Sequence, residues 1–412
     1  MKNKVDSRII DPTKIDPTKI DPTKDTIIEK TKNILTENIE EYYKNIKELS
    51  EKYNYTEWQI IVMDMQRNGI YLENPPSKLI PNEIKDNFQN ATLIIQGNGF
   101  TFTTAEDKTS PYKIKYLKNN KLKLTYKNEE ISIFDTLSLL EIMGKPSLYY
   151  FPFKEKTGKS SKKYLIVNPY ENCAYRCAGC SRIPFFKDNK TKHYEPNIKK
   201  IIEDVLQEIK DPNDVKFINI ITWSTSSDKN DFELYKKVIE TFNKKGFNHC
   251  KYWVYTSNIK DKEYMEKLKK LGVIFFTPTI EVVTEEAREK FYSNKNKKWE
   301  LSFEESIKVL KTAEEIFDYV NTNIMLGYEP KDELVKYLKL LKDDTNVSIN
   351  HFIPRIFSEE QKKLIHPEAR NLEYYVSMCS FIEKNINTNG KTFADLFQDL
   401  MQIKKGENRF RS

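Results

Sequence analysis

Three cysteines, Cys173, Cys177 and Cys180, fall within the run Asn168-Pro-Tyr-Glu-Asn-Cys173-Ala-Tyr-Arg-Cys177-Ala-Gly-Cys180-Ser-Arg182. Thiolates are soft ligands, and three so close in the chain can converge on one iron-sulfur cubane while leaving its fourth iron without a protein ligand. The chain has five cysteines in all. Three crowded together and two isolated do not make a secreted disulfide framework, and in a reducing compartment such crowding points to metal binding or catalysis. A structural zinc site ordinarily adds a fourth Cys or His with its own local pairing. Cys250 and Cys379 stand alone and read as small buried hydrophobes, and His193, His249, His351 and His366 show no paired spacing. A cluster is therefore favoured, with zinc or inert thiols as the alternative.

The elements that must position this run alternate regularly between strand and helix. Strands are expected at Tyr164–Asn168, Val215–Thr222, Lys251–Thr256, Val273–Thr279, Asn321–Leu326 and Val347–Ile353. Helical patterns are expected at Asn197–Lys210, Phe232–Lys245, Lys262–Leu271, Phe303–Phe317 and Asp332–Leu341. Six successive βα units imply a parallel sheet with crossover helices, whose natural closure is an incomplete barrel, a partial (β/α)6 TIM-type fold. The cysteine run follows the first strand, and reactive groups in such folds sit on loops at the strands' C-terminal ends. Helices at Leu372–Lys384 and Phe393–Lys404 would pack at the end of the chain.

CxxxCxxC on the loop after the first strand of such a barrel resembles the radical S-adenosylmethionine superfamily, over about residues 160 to 356. The resemblance implies that the open iron chelates the methionine moiety of S-adenosylmethionine, and that reductive cleavage releases a 5′-deoxyadenosyl radical which abstracts hydrogen from substrate. Cluster and cofactor would carry the hard step while the protein orients and shields it. It further implies cofactor contacts from Tyr175 and Gly179 in the cysteine run, from Thr222 and Ser224 after strand two, and from Ser257 and Asn258 after strand three. Glu281 after strand four would accept the ribose diol, Arg288 would grip a carboxylate or else form a surface ion pair, and the Asn323 to Gly327 segment would meet adenine, with Gly327 permitting close approach.

There are two departures from the family pattern. Gly179 stands where an aromatic residue commonly precedes the third cysteine. Thr222-Trp-Ser224-Thr225-Ser226 replaces the Gly-Gly-Glu that accepts from the methionine ammonium, although its hydroxyls and carbonyls can still accept. Trp223, Tyr255 and Tyr328 near strand ends are candidates for lining a cavity or for packing. With three cysteines committed, two remain, too few for auxiliary clusters, so a single [4Fe-4S] cluster is expected.

Residues 10 to 24 repeat Ile-Asp-Pro-Thr-Lys three times. Proline at every fifth position denies helix and central strand alike, so residues 1–25 read as a disordered tail. Residues 26–150 read as a small α+β domain: a helix over Thr26–Tyr53, strands at Trp58–Met63 and Thr92–Ile95, a hairpin of Ile114–Leu117 with Leu122–Tyr126 around Asn119-Asn120, and a short helix over Asp135–Met143. Gly97-Asn-Gly99 reads as a hairpin loop rather than a phosphate cradle. The barrel occupies 160–356 and a helical extension 357–412.

Formal charge is +7, from 68 Lys and Arg against 61 Asp and Glu. The excess is small beside the total and forms no block, so solvated helix faces are favoured over a nucleic-acid stripe. The N-terminus lacks an apolar signal core and no apolar run reaches membrane-spanning length, so a cytoplasmic protein without membrane contact is expected. A small metabolite or cofactor precursor is the favoured substrate, with a flavodoxin or ferredoxin as electron donor. A peptide or RNA substrate is one alternative; a non-catalytic barrel holding a cluster or zinc is another.

Overall fold

A computed structural model describes residues 39–75, 92–97, 100–117, 122–131, 137–143, 148–153, 162–167, 173, 175, 177–180, 203, 209, 211–221, 224–225, 227–292, 301–341, 346–351 and 359–386. The repeat tail, the first part of the Thr26–Tyr53 helix, the Asn119-Asn120 turn, Thr222 and Trp223, most of Asn197–Lys210 and all of Phe393–Lys404 lie outside the described residues. Contact clustering separates Met1–Glu48 from a compact unit, Leu49–Ser412. The described part of the first unit is the start of helix α1 (Ile39–Tyr53).

The larger unit is a mixed α/β fold. Short runs rich in Val, Ile, Phe and Tyr suit strands covered on both faces, the condition of a parallel sheet. Such runs form β9 (Lys162–Val167), β10 (Val215–Ile221), β11 (Lys251–Thr256), β12 (Val273–Pro278), β13 (Tyr319–Leu326) and β14 (Asn346–His351), each pairing in parallel with the next in sequence. All six expected strands match within two residues at each end. β8 (Leu148–Phe153), which was not anticipated, adds an antiparallel seventh strand at the edge beside β9. Pro152 weakens its strand signal, and an edge position is where a sheet tolerates proline.

Helices α3 (Asp228–Phe242), α4 (Lys262–Lys270), α5 (Glu285–Phe291), α6 (Phe303–Ile316) and α7 (Lys331–Leu338) connect these strands. Four of the five starts are capped from the sequence: the side chains of Ser227, Asp261, Thr284 and Ser302 each accept a backbone N–H of the first turn, which satisfies donors the helix itself cannot. One face of the sheet carries an aromatic row, Phe217, Trp253, Phe275 and Tyr319, with successive ring centroids 6.5, 4.7 and 5.9 Å apart. Trp253 Nε1 donates to Thr277 Oγ1 at 2.8 Å on that face. Phe276, on the opposite face, stacks at 4.6 Å on Phe317, the residue that ends α6.

Two expectations in the N-terminal region are corrected. Trp58–Met63 is not a strand but part of α2 (Glu57–Asn68). Gln59 Oε1 accepts from the Thr56 amide at 2.9 Å and from its hydroxyl at 2.8 Å, a helix-start signal that outweighs the local β-branched content. Ile61 and Met65, four apart, are both fully buried, as one helix face requires. The described part of the helix expected over Asp135–Met143 is not helical: Leu137–Met143 is strand β7, antiparallel to β2 (Thr92–Gly97), which also pairs with β3 (Phe100–Ala105). β2 is central in that sheet, and partners for both its edges override a weak local helix preference. The expected hairpin is present as β4 (Tyr112–Tyr116) and β5 (Leu122–Tyr126), in one sheet with β1 (Tyr71–Glu73) and β6 (Glu129–Glu130). After β14 come α8 (Glu359–Lys362) and α9 (Leu372–Asn385). Among the described residues no helix is long and apolar enough to cross a membrane.

Candidate active site

The C-terminal ends of β9 to β13 carry nearly all the residues singled out from the sequence. Beyond β9, Cys173, Cys177 and Cys180 are half-buried thiols outside any disulfide, and Tyr175 between them is buried. Burial raises the Tyr175 phenol well above its ordinary pKa, with the charges of Asp231 and Cys173 adding to the shift. Cys177 packs against an apolar cluster of Val282, Ala287, Phe291, Tyr292 and Tyr328. Gly179 is required there, because a Cβ would lie 2.1 Å from Phe291 Cδ2. The absence of an aromatic side chain at 179 is thus matched by an aromatic ring supplied from α5.

After β10, Ser224 and Thr225 are buried. The Ser224 and Ser257 hydroxyls share a short hydrogen bond. Asp231, in the first turn of α3, gathers the neighbouring polar groups: Oδ1 accepts from the Thr225 amide at 2.9 Å and from its hydroxyl, and Oδ2 accepts from Asn258 Nδ2 at 2.8 Å. Burial pushes the Asp231 carboxyl up to about 6 against the pull of those hydrogen bonds. Asn258 also donates to the Thr225 carbonyl at 3.3 Å, so its amide braces the β10 and β11 loops against each other.

Glu281 has φ 64, a left-handed conformation that a non-glycine residue holds at a cost and that often marks functional loops. Its amide donates to Asn323 O at 2.8 Å, its carbonyl accepts from Met325 N at 2.6 Å, and its Oε2 accepts from Asn323 Nδ2 at 3.2 Å. Glu281 and Asn323 are therefore brought together, as an acceptor pair with one amide oxygen and one carboxylate. Arg288 is not on the surface: it is 3% exposed, donates to Val282 O at 2.8 Å and to Leu301 O, and lies over the Tyr292 ring. Gly327 has φ 120, which favours glycine, and its carbonyl accepts from the His366 amide at 2.8 Å.

Two further groups belong to this end: Glu329, which the sequence did not single out, and Tyr328, a candidate there for lining a cavity or for packing. Glu329 is buried, with Oε1 accepting from the Val283 and Thr284 amides, each at 2.6 Å. Burial pushes its carboxyl up to about 7. Tyr328 donates to Gly179 O at 2.8 Å and stands edge-on to Phe291, which makes it a brace for the cysteine loop more than a cavity wall. The Gly327-Tyr-Glu329 run after a strand was the available hint for both.

Among the described residues no trio of His, Cys, Asp or Glu side chains is already gathered as a metal site. The donor set nonetheless suits an iron-sulfur cluster. It offers three thiols from one loop, half-buried at a strand end, on a backbone fixed by a turn in which Cys180 N donates to Cys177 O at 2.9 Å. Rotation about χ1 re-aims each sulfur without moving that backbone.

Residues 167–341 match the sequence model of the Radical SAM superfamily. No curated protein matches the chain. Among solved structures, methylornithine synthase is 13% identical over 54% of this chain and 63% of its own, with a TM-score of 0.41. An [FeFe]-hydrogenase maturase is 14% identical over 53% and 50%, with a TM-score of 0.40. Coproporphyrinogen III oxidase from Escherichia coli is 13% identical over 54% and 52%, with a TM-score of 0.38. The chain thus spans less than two-thirds of the length of each.

Proposed function

We propose that the chain, matched over residues 167–341 by the Radical SAM superfamily model, is a radical SAM enzyme whose Cys173, Cys177 and Cys180 bind one [4Fe-4S] cluster at the mouth of a partial (β/α)6 barrel. The observation that carries this is the position of all three cysteines inside the matched segment, directly after its first strand. When bound, the superfamily's cofactors, a [4Fe-4S] cluster and S-adenosylmethionine, supply a 5′-deoxyadenosyl radical by reductive cleavage.

The chain's own residues bind, orient and shield. The Ser224 and Ser257 hydroxyls, with Thr222, accept from an ammonium. The Glu281 carboxylate and Asn323 amide accept and donate to a ribose diol. Gly327 leaves its backbone open to a close-lying base, and Tyr175 and Gly179 border the same ligand. Asn258 and Arg288 contribute by fixing the loops that carry Ser257 and Val282. Residues 359–386 close over this end: the His366 amide donates to Gly327 O at 2.8 Å, and Tyr374 donates to Glu329 O at 2.9 Å. Such closure suits a small metabolite or cofactor precursor, from which hydrogen is abstracted. A flavodoxin or ferredoxin is the electron donor, and the enzyme is cytoplasmic. Residues 1–25 form a tail, 26–150 an N-terminal domain and 160–356 the barrel.

Anaerobic reconstitution with iron and sulfide, followed by reductant and S-adenosylmethionine, tests this. The expected result is about four irons per chain and release of 5′-deoxyadenosine. Stoichiometric zinc with no nucleoside would instead establish a non-catalytic metal-binding protein.

A further inference from the structure

The turn between the second and third cysteines has every backbone carbonyl from Ala178 to Cys180 held by a side chain from a distant part of the chain. Gln361 Nε2, in α8, donates to Ala178 O at 2.8 Å and to Cys180 O at 2.9 Å. Tyr328 donates to the carbonyl between them, Gly179 O, at 2.8 Å. The Gly179 amide in turn donates to Phe291 O at 3.1 Å. A turn of this kind ordinarily leaves its carbonyls to water. Here both donors are buried, Gln361 at 5% exposure and Tyr328 at 7%, and buried donors are engaged at a real cost if lost.

We infer that Gln361 and Tyr328 are positioning residues for the metal cluster: they clamp the Ala178, Gly179 and Cys180 carbonyls so that the peptide planes from Ala178 onward, including both that flank Cys180, cannot turn. This rests on the reading of the cysteines as cluster ligands. The physical consequence follows from the carbonyl dipole. An oxygen engaged by a buried donor is kept from swinging toward a sulfur ligand, where its negative end would disfavour an added electron. The clamp thus acts on how firmly the cluster is held and how readily it is reduced, without touching the reacting atoms. It also makes the chain after the last strand part of the metal site, since Gln361 comes from beyond β14.

The test compares wild type with Tyr328→Phe, which keeps the ring against Phe291, and with Gln361→Met and Gln361→Glu, which keep the side-chain length. In the metal-free protein, alkylation of Cys180 should speed up about tenfold in each variant, the factor that loss of a buried hydrogen bond permits. Cys173, outside the clamped turn, should react at the wild-type rate. In the reconstituted protein, loss of iron to a chelator should accelerate by a similar factor, and the electron paramagnetic resonance spectrum of the reduced cluster should change. Gln361→Glu, which sets oxygens against two carbonyls, should exceed Gln361→Met, an order that lost packing alone would not produce. If Gln361→Met fails to fold, Tyr328→Phe reads the same clamp. A protein that binds iron but loses it at the wild-type rate in every variant, with an unchanged spectrum, overturns the clamp alone. Altered thiol reactivity in a protein that takes up no iron overturns the ligand reading, and with it the role assigned here.

Discussion

Asp64 in α2 and Glu329 beyond β13 are both buried carboxylates, in opposite surroundings. Asp64 Oδ1 accepts from Arg67 Nε at 3.0 Å, Arg67 Nη2 at 2.6 Å and Asn68 Nδ2 at 2.8 Å, while Oδ2 accepts from the Tyr112 hydroxyl at 2.5 Å. Arg67 also donates to Arg370 O at 3.1 Å and lies over the Tyr375 ring. The N-terminal region therefore spends its buried charge on fastening α2 to β4 and to the chain near α9. Glu329 has two backbone donors on one oxygen, and its other oxygen has no hydrogen-bond partner among the described residues. The guanidinium within reach, Arg288, directs its hydrogen bonds to carbonyls instead. Asp64 is neutralised by its guanidinium, whereas the end of the sheet that bears the cysteines keeps in Glu329 a carboxyl whose protonation responds near neutral pH.

The largest effect should come from breaking the neutral side of that contrast. Arg67→Ala leaves Asp64 buried without its cation, and a cost of about 3–5 kcal/mol is expected in denaturant unfolding. A cost of a few tenths would mean that the pair is effectively solvated, and the contrast would fail.

Next comes Gly179→Ala, whose new methyl meets the Phe291 ring. Overpacking of this kind costs about 1–3 kcal/mol and should displace the cysteine turn, so iron uptake should fall. Adding Phe291→Ala should recover part of the iron, because the two positions share one space. Strictly additive losses would argue against the contact.

The smallest and most specific effect concerns Glu329. Its folded pKa, about 7, lies above the ordinary 4.5, so the native state holds the proton more tightly than the unfolded chain. The stability this confers is fully present below pH 4.5 and is lost as pH rises through about 7. Asp231, raised to about 6 from 3.8, acts with the same sign in a lower window. Glu329→Gln keeps the acceptor for the two amides and removes the charge, so its unfolding midpoint should fall less than that of wild type between pH 5 and pH 8. Equal slopes in the two proteins would show that Glu329 is not protonated in this range.

The same two regions differ in how much of them the sequence reveals. Between β9 and β14, strand length, helix length and spacing all agree, and four of the five described crossover helices begin at a capping side chain such as Ser227 or Ser302. Periodicity and boundary signals reinforce one another there. In the N-terminal region short apolar runs are ambiguous. Trp58–Met63 reads as strand until Thr56 and Gln59 are weighed as a helix start, and Leu137–Met143 becomes a strand because β2 needs a partner on its second edge. The site divides along similar lines. Cysteine spacing and the strand ends are local features and could be read directly. The pairing of Ser224 with Ser257, the engagement of Arg288 with carbonyls, and the reach of Gln361 back to residue 178 depend on contacts between distant segments, for which no local pattern exists.

The most direct test of the central claim is the iron content of an anaerobically reconstituted variant with Cys173, Cys177 and Cys180 all replaced by alanine, measured beside wild type. The account predicts about four irons per wild-type chain and essentially none in the variant, at matched unfolding midpoints. A variant that retains wild-type iron and still fragments S-adenosylmethionine would contradict it.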